Sequence, residues 1–146
     1  MFDKIGWVGL GLLSAVGAAG VAIFAKLGLE HVDTVLATAL RSVIMALIVV
    51  GVAGFSGELR PLFSSDSPMG AREWLWIVLA GASGAFSWLA YFGALKLGLA
   101  SKVAAVDKLS VLFIALLSVM VLGETLSMKN WLGVALLSAG VYLMAR

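Results

Sequence analysis

The 146-residue chain has no cysteine and a single histidine, His31. Without cysteine there are no disulfides, no thiol chemistry and no cysteine-ligated metal. One histidine leaves a single subunit without a histidine metal cluster. Charge is scarce too: 12% of the residues are charged, against roughly 25% in a soluble domain. The net charge is +2 and the basic residues do not cluster. That pattern lacks a nucleic-acid footprint and a polybasic lipid-binding tract. No nucleophile–base pair, metal-ligand set or cofactor motif is visible. No enzyme activity, metal or cofactor is therefore expected, and no nucleic-acid partner.

What remains is apolar. Hydrophobic residues make up 62% of the chain, with 17 glycines and two prolines, a composition that suits packed membrane helices. A span needs about 20 apolar residues, and five such segments occur: about 5–25, 34–54, 74–95, 103–122 and 129–145. The expected fold is an all-α integral membrane protein with five transmembrane helices, in one domain over 1–146. The first segment follows a weakly basic start, Met1 to Lys4, and is longer than a usual signal-peptide core. It reads as a first transmembrane helix.

Both prolines fall in the longest connection, 55–73, which reads as an extramembrane loop. Small residues recur every four positions in the first segment, at Ser14, Ala18 and Ala22 and at Gly11, Ala15 and Ala19. Such rows let helix backbones approach closely. Gly133 and Gly140 give the fifth segment a similar face. Gly123 suits a left-handed helix end, and Ser127 or Asn130 suits the cap of the helix that follows.

The polar residues inside the spans are the candidates for function, because ionised groups at membrane depth are costly. Residues 101–113, SKVAAVDKLSVLF, put Asp107 and Lys108 inside the fourth segment. On a continuous helix Asp107 shares a face with Ser110, Ile114 and Ser118, and Lys108 lies on another. One reading is mutual neutralisation near the interface, with Lys108 snorkelling outward; the other, since adjacent residues do not face each other on a helix, is that each pairs with another helix, Arg41 first, or with a second copy of the chain. Arg41 shares a face of the second segment with Thr34 and Thr38. Two readings stand for it: its guanidinium snorkels to the near interface, or it faces a polar cavity with the threonines. In the third segment Trp74 and Trp76 mark an interfacial belt. Gly84, Ser87 and Tyr91 share a face there, with Trp88 beside them. The substrate or ion pathway is therefore read as Asp107, Lys108, Arg41, Thr38, Ser110, Trp88 and Tyr91.

Five spans put the termini on opposite sides. Lys4, Arg60, Arg72 and Lys129 fall on one side, and Lys26, Lys96, Lys102 and Arg146 on the other. The balance gives the positive-inside rule no lever. Two readings stand: counting Arg41 and Lys108, which lie nearer the second side, puts that side in the cytoplasm, or the balance reflects dual topology, in which copies insert both ways and pair antiparallel.

Residues 92–104 (FGALKLGLASKVA), 122–127 (LGETLS) and 131–140 (WLGVALLSAG) resemble the end of an EamA domain of the drug/metabolite transporter superfamily. Residues 7–41, with FAKLG at 24–28 and ATALR at 37–41, resemble its start. The resemblance implies one half of a ten-helix inverted-repeat transporter fold, similar to small five-helix members that dimerise to complete a path. Small multidrug resistance proteins of that superfamily carry a glutamate in their first helix. Here that helix has Ser14 and no acid, so Asp107 is the one deep carboxylate left for coupling.

The expected function is secondary transport of small polar metabolites by a homodimer, through alternating access, in the inner membrane of a prokaryote. Its partners are then a second copy, lipid and a small solute. A non-transport assembly subunit, half of a hetero-oligomer, and a passive dual-topology channel are the alternatives.

Overall fold

A computed structural model describes residues 6–60 and 69–146. Lys4, the prolines at 61 and 68, and the centre of the 55–73 connection lie outside them. Among the described residues six α-helices follow one another: α1 (Gly6–Gly28), α2 (Thr34–Ser56), α3 (Ala71–Leu97), α4 (Ala100–Asp107), α5 (Ser110–Leu117) and α6 (Met128–Ala145). A π-helical segment, Ser118–Leu122, extends α5. Helices α4 and α5 with that segment form one span, Ala100–Leu122, so five apolar spans of 18 to 27 residues result. At about 1.5 Å per residue even the shortest covers most of a roughly 30 Å hydrocarbon core. Among the described residues every span is mostly exposed, and large side chains such as Val16, Leu47 and Ile48 stand open. Such an all-helical surface needs lipid around it, because helices satisfy their backbone groups internally.

The helix ends are set locally. The Asp33 carboxylate accepts from the amides of Val35 and Leu36, at 2.8 and 3.2 Å, and starts α2. Gly57 ends it with φ of 80°, and the amides of Gly57 and Glu58 return to the carbonyls of Gly54 and Ala53. The Glu73 carboxylate takes the Gly70 amide at 2.9 Å, so α3 starts three residues before the expected 74. The connection is thus shorter than 55–73 at both ends. Gly123 takes the expected left-handed conformation, φ 68°. Ser127 rather than Asn130 caps α6, accepting the Asn130 amide at 3.3 Å.

The fourth span departs from the regular helix expected over 103–122. After Asp107 the hydrogen bonds tighten: the amides of Lys108, Leu109, Val111 and Leu112 each return to the carbonyl three residues back. This is 3₁₀ geometry, which in mid-helix marks a hinge or strain. Further on the span loosens instead, and the amides of Gly123 and Glu124 both reach the Ser118 carbonyl. The single face drawn through Asp107, Ser110, Ile114 and Ser118 assumed an uninterrupted α-helix, which the chain does not form here.

The chain packs as two units. One comprises Met1–Leu27 with Ala94–Arg146, and the other Gly28–Gly93. In the first, the buried residues are mostly small: Ala22, Ala105, Ala115 and Ser118, with Leu95 and Val141. In the second, Leu29, Thr38 and Phe92 are buried. Of the small-residue rows in α1 only Ala22 is buried; Gly11, Ser14, Ala15, Ala18 and Ala19 are exposed. A Cβ added at Gly133 or Gly140 would likewise meet nothing within 4 Å. Among the described residues nothing covers these faces.

Candidate functional site

In the 28–93 unit, α2 and α3 bring together three residues that the sequence places far apart. The Cζ of Arg41 lies 3.6 Å from the centroid of the Trp88 ring and 5.4 Å from that of Phe92. At 3.6 Å an end-on guanidinium would drive its nitrogens inside van der Waals contact with the ring. The guanidinium therefore lies over the ring face rather than end-on to it. Trp88 is itself held: Tyr91 and Phe92, three and four residues on, present their rings nearly edge-on to it at 5.7 and 5.8 Å. Spacings of three and four stack side chains on one helix face.

Arg41 is the eighth residue of α2, so about 10 Å of helix separates it from Thr34. Trp88 lies nine residues before the end of α3, about 14 Å of helix. At that level the guanidinium lies over the ring. Among the described residues of this unit no carboxylate pairs with it. None of its nitrogens is sealed off without a partner. A desolvated cation–π contact is worth about 2 kcal/mol, while an arginine in mid-span costs about 2.5–3.5 kcal/mol on insertion scales. The ring offsets much of that cost and leaves the N–H edges without a counter-charge from this unit.

Thr38, one turn before Arg41, is buried, and its hydroxyl donates to the Thr34 carbonyl at 2.7 Å. The Ser42 hydroxyl donates to the Thr38 carbonyl at 2.8 Å. The donor of Thr38 is thus committed to its own helix, a geometry that bends helices slightly.

The other unit treats its charges differently. Lys108 Nζ lies 3.2 Å from Asp107 Oδ2, against the reading in which the two pair elsewhere. The rule that neighbours do not face each other holds on a regular helix. Lys108 closes α4 with ψ of −9°, and from that tightened turn its long side chain reaches back. Ser110 begins the next helical piece and is exposed.

Two lysines whose partners the sequence did not reveal are tied to carbonyls. Lys26 Nζ donates to the carbonyls of Leu95, at 2.6 Å, and Gly98, at 2.8 Å, at the end of α3. Lys102 Nζ donates to the Ala145 carbonyl at 3.4 Å, at the end of α6. Cations suit helix C-termini, where the last carbonyls lack intrahelical partners. Phe92 was also missed as part of the Arg41 site; its spacing of four from Trp88 was the available signal.

The model of the EamA-like transporter family matches residues 5–146. The chain belongs to the EamA-like transporter family. A relative from a Sinorhizobium species, described as an "Uncharacterized transporter in cobO 3'region", is 41% identical over 139 residues. The match covers 95% of this chain and 96% of that protein. No solved structure matches this EamA-like chain. With five apolar spans and this family, it is a multi-pass membrane protein of transporter type.

Proposed function

We propose that this EamA-like protein is a secondary transporter of small polar metabolites in the inner membrane of a prokaryote, working as a homodimer by alternating access. The observation that carries this reading is Arg41, a charge kept at membrane depth on an aromatic ring in a chain of a transporter family. Such residues in membrane spans mark solute and ion paths. The open small-residue faces of α1 and α6 are where a second copy would pack. The even distribution of basic residues suits an antiparallel pair, which would place a site near the repeat interface at the midplane. Asp107 supplies the exchangeable charge, leaving Lys108 when a proton or a substrate amine takes its carboxylate.

Purified protein in liposomes tests this: solute flux is expected to saturate and to depend on a proton or ion gradient. Asp107→Asn is expected to uncouple it. Unsaturable flux would replace the transporter with a channel, and absence of flux would remove transport altogether. Single cysteines placed in α1 are expected to crosslink copy to copy. A stable crosslinked partner other than itself would point to an assembly subunit.

A further inference from the structure

We infer that Arg41 and Trp88 form an oxyanion site, and that the solute it takes carries a carboxylate or phosphate group. Three observations converge. The guanidinium is seated over a ring face, its carbon 3.6 Å from the ring centroid. A guanidinium edge is a planar fork that matches two oxygens of a carboxylate or phosphate. No carboxylate of the same unit, among the described residues, occupies that fork, and none of its nitrogens is buried without a partner.

The seat is rigid as well as charged. Tyr91 and Phe92 pack against Trp88 on the same helix, so the ring under the guanidinium is itself held. Lys108, another cation well inside a span, is paired with Asp107 in this structure and is released only when that carboxylate is taken up. Lys26 and Lys102 are spent on helix-end carbonyls. Arg41 is thus a ring-seated guanidinium inside a span that no carboxylate of its own unit, among the described residues, takes up.

The inference deepens the transport reading by naming a solute class, but its test does not need transport. The probes are succinate and inorganic phosphate, titrated into the full-length protein in nanodiscs of zwitterionic lipid, with thermal unfolding as the readout. A ligand that binds the folded state raises the midpoint as its concentration exceeds Kd. Succinate or phosphate is expected to raise the midpoint at matched ionic strength, and tetramethylammonium chloride is not. Arg41→Gln is expected to abolish the response. Arg41→Lys is expected to weaken apparent affinity about tenfold, because a point charge lacks the fork. Arg41→Lys also keeps the cation, so a response lost only through misfolding is recognised by its helical circular dichroism.

Equal shifts in wild type and Arg41→Gln, or no anion-specific shift in wild type, would overturn the inference. Nanodiscs containing phosphatidylglycerol form a second arm. If that lipid alone produces the Arg41-dependent shift and the soluble anions produce none, the site belongs to a headgroup and the solute assignment falls. Anion binding without flux would sink transport and keep the site. Flux without Arg41-dependent anion binding would do the reverse.

Discussion

The two units hold the cations well inside their spans differently, although just after α6 Arg146 also lies over a ring, that of Tyr142, at 5.0 Å. In the unit formed by Met1–Leu27 and Ala94–Arg146, Lys26, Lys102 and Lys108 each end on an oxygen of the protein, a carbonyl or a carboxylate. In the 28–93 unit, Arg41 ends on the face of an indole. A lysine on a carbonyl has found its partner, and the contact ties one helix end to another. An arginine on a ring is stabilised from one side and still presents donors. Charge inside a membrane span is therefore not one category: its partner decides whether it fastens the fold or waits for a ligand.

Breaking the ligand-facing case is expected to have the largest effect. Arg41→Gln removes the fork and should reduce solute flux to background in liposomes. Trp88→Leu keeps the charge and removes its seat. Losing a contact of about 1–2 kcal/mol should lower apparent affinity roughly tenfold, read from the concentration dependence of flux. The structural case breaks differently. Lys26→Met removes two charge-assisted hydrogen bonds and should cost about 2–3 kcal/mol of stability, seen in thermal unfolding, while flux per folded molecule persists. Lys102→Ala removes one long, exposed bond of 3.4 Å and should change stability by less than about 0.5 kcal/mol. A large loss there would mean that the α6 end depends on it more than its geometry suggests.

Much of the fold was legible because a membrane span is a matter of length and hydropathy. The five spans were found, Gly123 was read correctly and Ser127 was one of the two caps expected, because turn and cap chemistry is local. The break after Asp107 was not legible. Hydropathy does not register whether an amide returns to the third or the fourth residue back. Partners of charges were the other gap. Periodicity showed that Thr38 and Arg41 share a face of α2, and that Trp88 sits beside Tyr91 on α3. It could not show that the first helix would lay its guanidinium on the ring of the second. Lys26 was hidden for the same reason, its acceptors lying 69 and 72 residues away. The reading that parted Asp107 from Lys108 applied regular-helix geometry at a place where the helix is not regular.

The comparison of the two units reduces to one measurement: solute flux per folded molecule in liposomes, for Arg41→Gln beside Lys26→Met. Arg41→Gln is expected to fold with normal helical content and carry no flux. Lys26→Met is expected to unfold at lower temperature and carry flux like the wild type. Flux retained by Arg41→Gln, with flux lost by folded Lys26→Met, would contradict the division of roles between the ring-seated arginine and the carbonyl-bound lysine.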